Sequence, residues 1–161
     1  HVFFLLCEYG YADLALKILR NPDYPGWGYM VKCGATSVWE RWEYEMSNEM
    51  HSFNHPMFGS YDAIFYRYLA GIQVNDVNTE DIIIAPVVVD TLNHVDCSFD
   101  SIRGRFVSNW IKDGDVIKHH IEIPTNTTVK VVLPNIVSIN GEKVSGVTTL
   151  DSGSYDIICS K

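Results

Sequence analysis

Basic residues are scarce in this chain: twelve Lys and Arg stand against twenty Asp and Glu, for a net charge of −8. The twelve are also scattered. Nucleic-acid binding needs clustered Lys and Arg to neutralise phosphates, so no nucleic-acid partner is expected and a neutral ligand such as a sugar fits better. Cysteine is equally uninformative as a ligand set, because Cys7, Cys33, Cys97 and Cys159 lie far apart with no C-x-x-C pair. Neither a zinc ribbon nor a thioredoxin motif follows, and four free thiols are expected. Long hydrophobic runs are missing too. The stretches Val2 to Cys7 and Ile82 to Val89 fall well short of the roughly 20 residues a spanning helix needs, and neither carries the basic flank of a signal peptide. No membrane partner is expected.

What remains is the composition of an ordinary folded protein: 161 residues, 47% hydrophobic and 20% charged, with neither repeats nor low-complexity tracts. The chain opens at His1 and runs at once into Val2-Phe3-Phe4-Leu5-Leu6. An apolar run at an edge suggests a segment cut from something larger.

Two halves differ in periodicity. Tyr11, Leu14, Ala15, Ile18 and Leu19 fall at helical spacing before Arg20-Asn21-Pro22 breaks the pattern. Asn54-His55-Pro56 reads as a second helix start, with Phe58, Tyr61, Phe65, Tyr68, Leu69 and Ile72 on its apolar face and Gly71 near its end. Past the polar connector Asn75 to Asp81 the pattern turns to strands, beginning with Ile82-Ile83-Ile84-Ala85. Phe106 to Ile111, Asp113-Gly114 and Val116 to Ile123 make a hairpin, since Asp-Gly supplies the positive-φ positions of a tight turn. In its second strand Ile117, His119, Ile121 and Ile123 face one way and Lys118, His120 and Glu122 the other. Pro124 stops it; Val129, Val131 and Leu133 continue the meander, a hairpin turns around Asn140-Gly141, and Tyr155 to Cys159 closes the sheet. The expected fold class is α+β: helices over residues 1–80, then an antiparallel β-sandwich or jelly roll over residues 81–161.

The stretch richest in potential chemistry is Gly34 to Glu43, with Trp39, Glu40, Arg41 and Trp42 at its centre, followed by His51, Asn54 and His55. Carboxylates flanked by tryptophans are ingredients of a sugar site: indoles stack on ring faces, and a Glu activates water. The same residues also suit a plain reading, with Trp39 and Trp42 in the core and Glu40, Glu43, Glu45 and Glu49 on a solvated acidic face. In the β half, Trp110 suits a core position better than a sugar platform. His119 and His120 point to opposite strand faces, so they cannot chelate one ion. Asn126-Thr127-Thr128 reads as turn chemistry. No metal and no cofactor are expected.

The blocks Tyr24-Pro25-Gly26-Trp27-Gly28-Tyr29-Met30, Gly34-Ala35-Thr36-Ser37-Val38-Trp39-Glu40-Arg41-Trp42, Ser52-Phe53-Asn54-His55 and Tyr66-Arg67-Tyr68-Leu69-Ala70-Gly71-Ile72 occur in this order. Together they resemble the bacterial α-L-rhamnosidases of glycoside hydrolase family 78, over nearly the whole chain. The resemblance implies the end of a catalytic (α/α)6 toroid followed by a C-terminal β-sandwich, and hydrolysis of terminal α-L-rhamnosides with inversion. It gives Glu40 as the general base, Trp39 and Trp42 as walls of the rhamnose pocket, and His55 as a hydrogen-bonding partner of the sugar, with a helix cap as its plain alternative. Inversion needs a second carboxyl about 6.5 to 9.5 Å away, and the resemblance places that acid upstream of His1. A fragment of this kind would be inactive alone and prone to self-association through its apolar helical face. Two other readings stand beside it: another glycosidase on the same toroid, of fucosidase or glucuronyl hydrolase type, and a non-catalytic carbohydrate-binding module. Glu43, where many relatives have Asp, and the short segment before Ser52 mark departures at the pocket rim.

Overall fold

The computed structural model describes residues 1–44, 52–74, 82–144 and 148–160. Glu45, Asn48, Glu49, His51, the connector Asn75 to Asp81 and the division expected near residue 80 lie outside the described residues. The chain forms two compact units, His1–Ile64 and Phe65–Lys161. The fold is α+β, helices first and sheets after. Among the described residues no helix is long and apolar enough to cross a membrane, and all four cysteines are free thiols.

The first unit holds α1 (Val2–Glu8), α2 (Ala12–Arg20) and α3 (Trp27–Lys32). Helix α2 has Asp13 in its first turn and Lys17 and Arg20 in its last, the arrangement the helix dipole favours. Its buried residues are Ala12, Ala15, Leu16 and Leu19, whereas Tyr11, Leu14 and Ile18 are exposed. The buried stripe is therefore rotated from the expected one. Small residues let α2 lie close to α1 and α3, and the bulkier side chains take the open side. Gly28 shows how close that packing is, since a Cβ there would sit 2.3 Å from the Asn21 carbonyl oxygen.

The helix expected from Pro56 onward forms over residues 56–69, but not as a regular α-helix. A 3-10 turn covers Pro56–Asp62 and a π-helical turn covers Phe65–Leu69. Aromatic side chains dominate this segment and Gly59 interrupts it, so local helix propensity is weak and tertiary contacts decide the backbone. Gly71, at φ +76°, ends the π turn in a conformation that suits glycine, and a Cβ would meet the Pro86 backbone nitrogen at 2.1 Å.

The second unit is a sandwich. A four-stranded sheet runs β1 (Ile72–Gln73), β2 (Ile82–Ile84), β7 (Val129–Val131), β10 (Thr148–Leu150). The larger sheet contains β3 (His94–Val95), β4 (Ser98–Ser101), β5 (Gly104–Asp113), β6 (Val116–Ile123), β8 (Ile136–Ile139), β9 (Glu142–Lys143) and β11 (Gly153–Ser160). Its order is β3-β5-β6-β11-β8-β9, with β4 also on β5. The β5–β6 hairpin pairs Asp113 with Val116 and Trp110 with His119, and Gly114 has the positive φ its turn requires. Asn126, at φ +56°, lies in the turn after β6.

The meander expected to continue from β6 through Val129 and Val131 is broken here. Strand β7 crosses to the small sheet and runs parallel to β2, the one parallel pair among the described strands. Pro124 cannot extend the β6 ladder, and the Asn126 turn redirects the chain. Ile82, Ile84, Val129 and Val131 of one sheet then meet Phe106, Trp110, Ile121 and Ile157 of the other in a continuous core.

Trp110 and His119 both lie inside this core, as their strand parity requires. The indole N–H of Trp110 donates to the Leu69 carbonyl at 2.8 Å, and Ser108 Oγ donates to the Ala70 carbonyl at 2.5 Å. Two successive carbonyls at the end of the π turn are thus satisfied by β5 side chains. The Ser108 proton is committed to a group that can only accept, so Ser108 Oγ accepts from His119 Nε2–H across 2.9 Å. This fixes the neutral tautomer and leaves Nδ1 of His119 buried without a partner among the described residues.

Candidate active site

The loop that carries Glu40 is held by backbone pairing. Glu40 N donates to the Ser52 carbonyl at 2.9 Å, and His55 N donates to the Val38 carbonyl at 2.8 Å. Ser37 Oγ adds a bond to the Phe53 carbonyl. Residues 37–40 and 52–55 therefore form one hydrogen-bonded pair of segments, which brings Glu40 and His55 onto the same support although 14 intervening positions separate them.

The Glu40 carboxylate is half-buried, and its Oε2 accepts the Ser52 backbone N–H at 2.9 Å. It has no ion-pair partner among the described residues. One oxygen is thereby oriented, and the other has no hydrogen-bond partner among the described residues. His55 Nδ1 accepts from Met57 N at 3.1 Å, capping the 3-10 turn that Pro56 opens. The cap reading of His55 is realised, and it has a chemical corollary: a ring whose Nδ1 accepts carries its proton on Nε2 when neutral, so Nε2 can donate to a hydroxyl.

Trp42 is partly exposed and stacks on Phe58, with centroids 4.1 Å apart and planes at 17°. Both lean on Trp27, whose ring also meets Phe3 and Tyr61 edge-on at 5.0 and 5.5 Å. The Trp27 indole N–H donates to the Phe58 carbonyl at 2.9 Å. Trp27 belongs to the recognised sequence blocks and Phe58 to the apolar face of the helix expected after Pro56, but neither had a role at the site assigned from sequence. Trp27→Phe is expected to cost about 0.5–1.5 kcal/mol, the worth of one hydrogen bond, in urea denaturation. An unchanged midpoint would remove that bond from the account.

Trp39 is corrected from its expected place. It is 3% exposed, with Tyr44 and Phe53 packed on its ring at 5.7 and 5.0 Å. So little surface offers no ring face to a sugar; the residue backs the Glu40 loop from inside, and of the two motif tryptophans only Trp42 keeps accessible surface. Glu43 accepts a hydrogen bond from Tyr24 Oη at 3.2 Å, and Tyr24 meets Tyr29 edge-on at 5.5 Å. Among the described residues no group of three or more His, Cys, Asp or Glu is arranged to hold a metal ion.

The model of the bacterial alpha-L-rhamnosidase six-hairpin glycosidase domain matches residues 1–69, and that of the bacterial alpha-L-rhamnosidase C-terminal domain matches residues 78–148. The chain belongs to the bacterial α-L-rhamnosidase family. An α-L-rhamnosidase of Streptomyces avermitilis is 29% identical over 136 residues, covering 81% of this chain and 13% of that protein. One from Formosa agariphila is 30% identical over 136 residues, with 81% and 15% covered. The rhamnosidase structure from Dictyoglumus thermophilum superposes with a TM-score of 0.87 at 34% identity, over 99% of this chain and 20% of that one. The Streptomyces avermitilis rhamnosidase solved with L-rhamnose gives 0.86 at 26% identity, over 98% and 17%. The chain thus spans a fifth or less of the length of each of these relatives.

Proposed function

We propose that this chain is the part of an inverting α-L-rhamnosidase that carries the general base, and that Glu40 is that base. The observation that carries the reading is the Glu40 carboxylate: half-buried, held through one oxygen by the Ser52 N–H, unpaired with any cation among the described residues, and on the same paired segments as His55. A carboxylate so placed accepts a proton from water, whereas one locked to Arg or Lys would be a poorer base. Trp42 offers an apolar surface to the deoxysugar, and the Nε2–H of His55 donates to one of its hydroxyls. The acid that protonates the leaving oxygen comes from a part of the enzyme outside residues 1–161. Neither Asp13, in the first turn of α2, nor Glu43, engaged by Tyr24, is suited to it. The apolar outer side of α1 and α2, with Leu5, Leu14 and Ile18 exposed, suits packing on further helices of a toroid. On this reading the end of the catalytic domain covers residues 1–80 and the accessory sandwich residues 81–161.

The stereochemistry of the product tests the mechanism. With an aryl α-L-rhamnoside and the full-length enzyme, proton NMR at early times is expected to show β-L-rhamnose first, with the α anomer growing in by mutarotation. First release of the α anomer would replace inversion by a two-step displacement. Turnover of a fucoside or glucuronide in preference to the rhamnoside would instead move the chain to another toroid chemistry.

A further inference from the structure

The outer face of the larger sheet carries a concavity of about 430 Å³ that the proposed hydrolysis leaves unused. Strand parity builds it. Phe106, Ser108 and Trp110 of β5 are buried in the core, which sends Arg105, Val107 and Asn109 outward; Ile117, His119, Ile121 and Ile123 of β6 are likewise buried, which sends His120 and Glu122 outward. Cross-strand register sets Asn109 opposite His120 and Val107 opposite Glu122.

The polar groups are oriented before any ligand arrives. Asn109 Oδ1 accepts the Cys97 backbone N–H at 2.8 Å, so the two amide N–H donors of Asn109 are at its other end. Arg105 Nη2 donates to Ser98 Oγ at 2.8 Å, leaving further donors on a guanidinium that carries five. His120 lies between Asp156 at 2.7 Å and Glu122 at 3.4 Å, which ties β6 to β11 and positions the Glu122 carboxylate.

The lining narrows the ligand class. An anion would meet the carboxylates of Asp96 and Glu122 beside one guanidinium, and no arrangement able to hold a metal occurs among the described residues. An apolar ligand would find little beyond the Val107 side chain. A neutral, hydroxyl-rich molecule needs donors and acceptors side by side, which Asn109, Arg105, Glu122 and Asp96 supply. We propose that this groove binds a short neutral oligosaccharide without cleaving it, hydroxyls bridging the Asn109 and Arg105 donors to the Glu122 and Asp96 carboxylates. From Arg105 to Asn109 the floor is roughly 13 Å long at about 3.3 Å per residue, enough for more than one sugar ring. The volume lies within the range of ordinary ligand sites. The groove belongs to the second unit and Glu40 to the first, and holding a glycan chain in the groove requires no chemistry at Glu40.

NMR titration of the ¹⁵N-labelled 161-residue chain with L-rhamnose and with a neutral rhamnose-containing disaccharide tests this. Saturable shifts are expected at the amides of Arg105, Val107, Asn109, His120 and Glu122, tighter for the disaccharide. Arg105→Ala and Glu122→Ala, both at exposed positions, are expected to weaken them at least several-fold while the remaining spectrum stays in place. Glu40→Gln is expected to leave them unchanged. The proposal is overturned if neither saccharide moves these amides up to its solubility limit, or if inorganic phosphate or calcium moves them and the saccharides do not. Loss of hydrolysis on changing Glu40, with groove shifts retained or absent, bears on the base alone, so the two ideas fail separately.

Discussion

In the full-length enzyme Glu40→Gln is expected to lower kcat on an aryl α-L-rhamnoside by roughly 10²–10⁴-fold, the usual worth of a general base. The substitution is chosen for what it keeps. Glutamine retains a carbonyl oxygen to accept the Ser52 N–H, so the paired segments 37–40 and 52–55 have no reason to separate. What it loses is the capacity to take a proton from water. Thermal denaturation should therefore match the parent protein while turnover collapses, and the loss should appear in kcat more than in KM. Azide sharpens the test, because it attacks the anomeric carbon without surrendering a proton. With Glu40→Ala, turnover is expected to recover as azide rises, giving the β-L-rhamnosyl azide. Near-normal hydrolysis by Glu40→Gln would remove this carboxylate from the mechanism.

The second large effect is on stability in acid. His119 is flanked across its strands by Trp110 and Ile157 and bonded to Ser108. Burial, with a smaller push from neighbouring His120, lowers its pKa to about 4 from 6.5. The folded state holds this ring neutral, while the unfolded chain protonates it near 6.5. Between those values the unfolded state binds the extra proton, so stability falls as pH falls from about 6.5 to about 4. The difference corresponds to about 3 kcal/mol, lost in full below the lower value. Urea denaturation at a series of pH values should follow that curve, and His119→Gln, which has no proton to gain, should flatten it. A curve of the same steepness in the variant would assign the acid sensitivity to other groups. His120, one position along, contributes with the opposite sign: its hydrogen bond to Asp156, aided by Glu122, raises its pKa, so its smaller, exposed contribution is present at low pH and fades as pH rises through that value.

How much of this was legible beforehand depended on which force shaped each segment. Period-two alternation placed His119 and Trp110 inside and His120 outside, because strand geometry leaves no other choice. Asp113-Gly114 and Asn140-Gly141 both form turns, where local chemistry determines the backbone. Over Phe58 to Leu69 the apolar spacing located a helix but not its type, since aromatic packing rather than propensity decides between regular α-helix and the 3-10 and π turns found there. The parallel pairing of β2 with β7 left no local trace, as partner choice between distant segments is a tertiary matter. At the site, the motif drew the eye to Trp39 and Trp42 alike, but their fates differ: one fills the interior behind the loop and the other remains partly open. Tryptophans three positions apart cannot be sorted into support and surface without the neighbours Tyr44, Phe53 and Phe58.

Strand β11, the last of the described strands in chain order, lies between β6 and β8 in the middle of the larger sheet. During synthesis the two flanking strands emerge first and must wait with open edges until residues 153–160 arrive to join them. The sheet is thus joined at its centre by residues 153–160, and a chain broken off before them would hold a sheet split down the middle instead of one trimmed at the border.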